Sequence, residues 1–159
     1  MTRRSLILLS GLGSTALLLA AFGFQHIGGL APCAMCLWQR WPHAAAIAIA
    51  AVGAAVPAAA IAVLGGLSMV ANAGIALFHT GVERDWWEGP QSCTGAAGQD
   101  LGAMSASDLL ATDTGPSIVL CDEVTWEMLG LSMASWNGLA SVALAMIWFA
   151  AAMRRRTAG

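Results

Sequence analysis

Four cysteines carry the most distinctive chemistry of this chain. Cys33 and Cys36 form a Cys-x-x-Cys motif, and Cys93 and Cys121 follow much later. Paired cysteines interconvert between thiols and disulfides, and the thiolate is the attacking species. A disulfide across a Cys-x-x-Cys motif closes a very short loop, so it removes little entropy from the unfolded chain and braces a fold poorly. We therefore predict that Cys33 and Cys36 form a redox-active pair.

Three other uses of the cysteines can be compared with this prediction. Two structural disulfides remain an alternative, because the number of cysteines is even. Haem attachment needs a His directly after the motif, and residue 37 is Leu. A zinc site usually has a second closely spaced pair, which the sequence lacks. We therefore expect no metal site.

Arg40 lies four residues after Cys36, which is one helical turn along the same face. Cys36 is also expected near a helix N-terminus, whose dipole favours negative charge. Positive surroundings lower thiol pKa values. We therefore expect Arg40 to lower the pKa of Cys36. The alternative is that Arg40 only extends toward a membrane interface.

The composition predicts the membrane as the solvent. Charged residues make up 10% of the 159 residues, and the mean hydropathy is +0.70. A soluble domain carries about 25% charged residues, and a helix that spans a membrane needs about 20 mostly apolar ones. The charge-free stretches predict one domain, residues 1–159, with spans at residues 6–24, 41–56, 60–80 and 136–153.

A turn must divide the long charge-free stretch between the second and third spans. Pro57 lacks a backbone donor and breaks a helix, so we place the turn near Ala55–Ala59. The Gly65-Gly66 pair is a second candidate interruption.

The arginines predict the orientation. Arg3 and Arg4 precede the first span, and Arg154–Arg156 follow the last. Cytoplasmic flanks carry the excess of Arg, so both ends are expected inside. Two outer loops, residues 25–40 and 81–135, then contain all four cysteines. A cleaved signal peptide at the N-terminus is the alternative, and it leaves these loops on the same side.

The two cysteine segments resemble those of the DsbB family, the disulfide bond formation proteins B. Residues 33–40 are similar to its Cys-x-x-Cys-x-x-x-Arg segment, and residues 121–133 to its Cys-x₄-Trp-x₂-Leu-Gly-Leu-x-Met stretch. The likeness covers nearly the whole chain. It implies an all-α membrane protein of the bacterial inner membrane, a four-transmembrane-helix bundle with two periplasmic loops.

The resemblance also implies an activity, that of a thiol:quinone oxidoreductase. Such a protein reoxidises a periplasmic DsbA-like protein of thioredoxin fold and passes the electrons to a quinone, ubiquinone or menaquinone. The implied partners are therefore this protein, the quinone pool and membrane lipid. The net charge of −2 gives no reason to expect a nucleic-acid partner.

The resemblance further implies roles for single cysteines. Cys93 is the one that the reduced partner attacks, and it is expected in an exposed loop. Cys121 resolves that mixed disulfide and then exchanges with Cys33, while Cys36 lies next to the quinone.

Two further residues are expected in the quinone pocket. Arg40 would hold the quinone oxygen, and His79 falls where the family lines the pocket. For His79 the alternative is an interfacial hydrogen bond at a helix end. In the second loop, Met104 and Asp108–Leu110 are compatible with a short amphipathic helix on the membrane surface or with a disordered loop.

Two rival functions remain. One is a structural or assembly membrane protein whose loops are joined by disulfides. The other is an enzyme like vitamin K epoxide reductase, which also couples a Cys-x-x-Cys motif to a quinone in a four-helix bundle. In that family the motif comes near the last helices, whereas here it precedes the second span.

Overall fold

The computed structural model describes residues 1–90, Cys93 and residues 120–154. In chain order its elements are α1 (Arg3–His26), α2 (Ala34–Ala55), α3 (Ala59–Glu83), β1 (Glu127–Met128), β2 (Leu131–Ser132) and α4 (Met133–Met153). The predicted surface helix at Met104 and Asp108–Leu110 lies outside the described residues.

The described chain is mostly helical, as predicted. Helices α1, α3 and α4 are long and apolar enough to cross a membrane. The fourth long helix, α2, has 22 residues. These helices support the class of an all-α membrane protein, while the four crossings stay a prediction.

The four helices pack in a closed ring, α1 on α2, α2 on α3, α3 on α4, and α4 back on α1. The core between them contains fully buried side chains such as Ile7, Met69 and Trp148. Other apolar residues point outward, and Leu12 and Leu19 of α1 are 67% and 64% exposed. A helix that is apolar on both its inner and outer faces is typical of a membrane span.

The chain reverses around Pro57, between the end of α2 and the start of α3. The Gly65-Gly66 pair, the second candidate interruption, lies within α3 and does not break it. A Cβ atom on Gly65 would lie 2.5 Å from the ring of Trp148. The glycine therefore serves the close packing of α3 against α4.

Helix α2 begins at Ala34, inside the segment that the sequence assigns to the first outer loop. Cys33 is its N-cap, and the Cys33 sulfur accepts the backbone N–H of Cys36 at 3.3 Å. The Cys-x-x-Cys motif thus forms the start of a helix rather than part of a loop. Arg40 lies one helical turn after Cys36 in the same helix.

Arg3 connects three parts of the chain at one end of the bundle. Its guanidinium donates to the main-chain oxygens of Pro57, Ala151 and Arg154. The start of α1, the α2–α3 turn and the end of α4 therefore meet at this end. Because Cys33 begins α2, the cysteines lie at the opposite end.

A short β-hairpin leads into α4. Its two strands pair antiparallel and are joined by Leu129 and Gly130, whose φ angles are +56° and +76°. Two positive φ values are typical of a type I′ turn, which favours Gly. Ser132 then caps α4 by accepting the N–H of Ser135 at 3.2 Å. The Leu-Gly-Leu segment of the second motif is therefore a tight turn just before a helix start.

Candidate functional site

Cys93 and Cys121 form a disulfide bond. The N–H of Cys121 also donates to the carbonyl of Cys93 at 3.3 Å, and the N–H of Cys93 donates to Pro90 at 2.8 Å. The side chain of Cys93 is only 3% exposed. The expectation of an exposed Cys93 is therefore wrong, because the disulfide packs in an apolar cluster with Val82 and Cys33.

Cys33 and Cys36 are free thiols whose sulfur atoms are 2.9 Å apart and share a hydrogen bond. The Cys33 sulfur also accepts the N–H of Cys36 and faces His79 Nε2 at 3.5 Å. These two contacts favour the thiolate on Cys33. The hydrogen bond from Cys36, followed by the His79 contact, lowers the pKa of Cys33, whereas the neighbouring Cys33 sulfur and burial raise the pKa of Cys36.

This assignment corrects one expectation about Arg40. The Arg40 guanidinium lies over the ring of Phe22 in α1, 4.8 Å from its centroid, so it packs α2 against α1. The pKa of Cys36 is raised by Cys33 and burial. The N-cap position thus favours the thiolate at Cys33, because the Cys33 sulfur accepts a backbone N–H there.

The two cysteine pairs meet at Cys33 and Cys121. The sulfur atoms of these two residues and His79 Nε2 all lie within 4.8 Å of one another. Three such atoms are close enough to hold a metal ion when all are free, but the Cys121 sulfur is bonded to Cys93. A disulfide next to a dithiol is instead the arrangement for thiol–disulfide exchange.

His79 is the polar centre of this contact and is only 2% exposed. Its Nε2 lies 3.5 Å from Cys33 Sγ and 3.8 Å from Glu83 Oε1, one helical turn on. Its Nδ1 lies 2.8 Å from the amide nitrogen of Gln39. Burial raises the pKa of Glu83, although Ser132 donates a hydrogen bond to that carboxylate. His79 therefore borders both a cysteine pair and a buried acid.

A cavity of about 340 Å³ opens beside the Cys-x-x-Cys motif, between α1, α2, α4 and the hairpin. Its walls are mainly apolar side chains. The polar residues that line it are Cys36, Gln39, Arg40, His43, His79, Thr125 and Asn137. The structure thus brings Cys36, Arg40 and His79, the three residues of the predicted quinone pocket, to one cavity.

Several polar residues of the site were missed by the sequence analysis. Asn137 forms hydrogen bonds with the side chains of both His43 and Gln39 inside the bundle, and the amide nitrogen of Asn72 lies 3.0 Å from His43 Nε2. Polar side chains within apolar helices are rare and are functional candidates by default. That signal was available in the charge-free stretches and could have found these residues.

Comparison with known proteins agrees with the motifs. The profile of the family described as "Disulfide bond formation protein DsbB" matches residues 3–151. The chain belongs to the DsbB family. The general activity of the family is that of an oxidoreductase in disulfide bond formation.

Individual members of the DsbB family resemble the chain over most of its length. "Disulfide bond formation protein B" of Polaromonas sp. is 29% identical over 92% of this chain and 88% of its own length. "Disulfide bond formation protein B 2" of Pseudomonas aeruginosa is 30% identical over 92% and 89%. "Disulfide bond formation protein B" of Xanthomonas axonopodis pv. citri is 32% identical over 92% of this chain and 83% of its own length. No solved structure matches the chain significantly.

Proposed function

We propose that this chain reoxidises a periplasmic thioredoxin-fold protein of the DsbA kind and relays the electrons through its two cysteine pairs to a membrane quinone. The observation that carries the proposal is the proximity of the pairs, with Cys33 Sγ and Cys121 Sγ within 4.8 Å. A protein whose disulfides only brace its loops has no use for a free dithiol beside one of them. The brace alternative therefore explains Cys93 and Cys121 but not Cys33 and Cys36.

The first exchange takes place at the Cys93–Cys121 bond. A thiolate of the partner attacks Cys93, the bond to Cys121 breaks, and Cys121 leaves as a thiolate. The partner's second thiolate then attacks the partner sulfur bonded to Cys93, which releases an oxidised partner and reduced Cys93. Because Cys93 is buried, the docking partner must displace some of its neighbours.

The second exchange joins the two pairs. The Cys121 thiolate attacks Cys33 in the oxidised Cys33–Cys36 bond, and Cys36 leaves as a thiolate. Cys93 then attacks Cys121, which restores the first disulfide and releases reduced Cys33. Two electrons have then reached the Cys-x-x-Cys pair. The lowered pKa of Cys33 favours this direction, because a stabilised thiolate stabilises the reduced form of a pair.

The cavity has the properties of a quinone site. Its volume of about 340 Å³ falls in the range of small-molecule pockets, and its walls are mainly apolar with a few polar groups. A bound quinone, ubiquinone or menaquinone, accepts two electrons and two protons. Arg40 would donate hydrogen bonds to a ring oxygen and stabilise negative charge there. Cys36, on the same wall, would bring its sulfur to the ring.

The site also fits the proposed topology in the bacterial inner membrane. With four crossings, the end that carries Arg3 and Arg154 faces the cytoplasm and the cysteine end faces the periplasm. The partner then reaches Cys93 from the periplasm, and quinone reaches the cavity from the bilayer. Both substrates arrive at one end of the bundle.

Quinone dependence tests the activity. The protein, freed of quinone in detergent, is mixed with a reduced DsbA-like protein, and the loss of partner thiols is followed with and without added ubiquinone or menaquinone. We expect turnover only when quinone is present. Equal rates after complete quinone removal would contradict the proposal. The Cys121→Ser variant is the control, because it retains the cavity but lacks the link between the pairs.

A further inference from the structure

A chain of buried and half-buried hydrogen bonds ends on the Cys33 sulfur, and we propose that two of its members, Gln39 and Asn137, are positioning residues. In this arrangement they hold His79 in the tautomer that carries its proton on Nε2 and direct that proton at Cys33. The inference rests on the proposed function for its purpose, because it assigns these residues a part in the electron relay.

The direction of the chain follows from the donors and acceptors. His43 Nε2 lies 2.9 Å from Asn137 Oδ1, and the Asn137 amide nitrogen donates to Gln39 Oε1 at 2.6 Å. Since its oxygen is occupied, Gln39 presents its amide nitrogen to His79 Nδ1 at 2.8 Å. An amide N–H only donates, so His79 Nδ1 must accept. The imidazole proton is therefore on Nε2, which faces Cys33 Sγ at 3.5 Å.

Burial strengthens the hydrogen bond by which Gln39 orients His79. Gln39 and His79 are 6% and 2% exposed and the contact between them is buried, so water competes little for it, whereas Asn137 is half-buried. A buried amide without a partner is costly. Turning the Gln39 amide around would set its amide nitrogen against the amide nitrogen of Asn137, two donors without an acceptor. The three helices α2, α3 and α4 thus fix one orientation together.

Asn72 provides a contrast within the same core. It is fully buried and donates to Ser141 Oγ at 2.8 Å, and its amide nitrogen also lies 3.0 Å from His43 Nε2. It does not stand between His43 and Cys33. Asn72 is therefore a buried amide that contacts the hydrogen-bond chain only at its far end, His43, and is not a link between His43 and Cys33.

Several groups face the His79 imidazole. From α2 these are the thiol of Cys33 and the amide of Gln39, and from its own helix the carboxyl of Glu83 at 3.8 Å. Cys121 also lies nearby but is in a disulfide and does not titrate. Cys33 and Glu83 thus compete for the Nε2 proton, and a fixed ring favours the nearer Cys33 sulfur.

A thiolate titration tests the role of Gln39. The full chain with Cys93→Ser and Cys121→Ser retains only Cys33 and Cys36, and the thiolate of the reduced pair is followed by ultraviolet absorbance against pH. We expect Gln39→Leu to raise the midpoint for Cys33 by about one pKa unit, because a hydrogen bond to a charged group is lost or weakened. Asn137→Leu, one link further away, should raise it by less.

The control variant in this titration is Asn72→Ala, which touches the hydrogen-bond chain only at His43, and we expect it to shift the midpoint less than Asn137→Leu does. Equal shifts for Gln39→Leu and Asn72→Ala would overturn the inference, since general loosening of the core would then explain both. An unchanged midpoint in Gln39→Leu would also overturn it. Because the titration needs neither partner nor quinone, its failure is distinct from failure of the proposed function.

A second measurement needs no core substitution. In protein with ¹⁵N-labelled histidine rings, the ring nitrogen shifts report which nitrogen of His79 carries the proton, and the His79→Gln variant assigns the signal. We expect protonation at Nε2. A proton on Nδ1 would overturn the inference whether or not Gln39→Leu folds.

Discussion

The two cysteine pairs lie side by side but are held in different ways. The Cys93–Cys121 disulfide is fixed by main-chain hydrogen bonds and by packing on Val82. The Cys33–Cys36 pair begins a helix, and its Cys33 sulfur receives a backbone N–H and faces His79. The reactivity of the Cys93–Cys121 pair therefore depends on displacing the residues that bury it. The reactivity of the second is set by fixed groups of the bundle.

The difference predicts a division of labour that substitutions can separate. Cys93→Ser should abolish oxidation of the partner, a loss of at least about a hundredfold, because a bond-forming sulfur has no substitute. In the same variant, chemically reduced Cys33 and Cys36 should still be reoxidised by quinone. Cys36→Ser should abolish quinone reduction itself. The measurements are the loss of partner thiols and the quinone absorbance. Normal turnover in both variants would support the alternative that the disulfides only brace the loops.

The second pair should react according to its lowered thiol pKa. Alkylation of Cys33 in the reduced protein should have its midpoint below about 8.5, the value of a free cysteine. His79→Ala should move this midpoint upward and slow alkylation near neutral pH by about tenfold, since one pKa unit is a factor of ten. A midpoint unaffected by His79→Ala would show that the helix start alone sets the thiolate.

A substitution in the bundle core far from the cysteines should change the stability without changing the Cys33 midpoint. Gly65→Ala places a methyl group against Trp148 and should lower the free energy of unfolding by about 1–3 kcal/mol. Thermal unfolding in detergent measures this. The Cys33 midpoint should not change. A shifted midpoint would mean that the site depends on the whole core rather than on its own contacts.

The smallest effect is expected at Glu83. Its pKa is raised by burial, so the carboxyl stabilises the fold below its ordinary pKa, and this contribution is lost as the pH rises through the folded value. Glu83→Gln should therefore gain stability relative to the natural chain from about pH 4 upward, by less than the glycine effect. Unfolding at several pH values checks this, and a constant difference would contradict it.

The chemistry of the site was largely predictable because it resides in residue types and short spacings. The Cys-x-x-Cys motif, the second cysteine pair and Arg40 are visible in the sequence, and the structure brings Cys36, Arg40 and His79 to one cavity. The Gly65-Gly66 pair remained a second candidate for the turn, because a glycine that breaks a helix and one that admits a ring look alike in sequence. Only the neighbouring Trp148 distinguishes them.

Other features could not be predicted, because they depend on residues distant in the chain. Asn137 is far from Gln39 in sequence, yet it orients that amide at 2.6 Å. The burial of Cys93 likewise depends on its packing with Val82 and Cys33. Spacing alone also favoured Cys36 as the thiolate, whereas the helix start at Ala34 gives the backbone donor to Cys33.

The sequence by itself determined the family, the apolar helices and the redox chemistry, since hydropathy and cysteine spacing are local properties. The tertiary structure alone decided which sulfur of the Cys-x-x-Cys pair has the lowered pKa and which sulfur of the other pair lies beside it. The physical reason is that a thiol's pKa and its exchange partner depend on atoms within a few ångströms, and those atoms come from helices that only folding brings together.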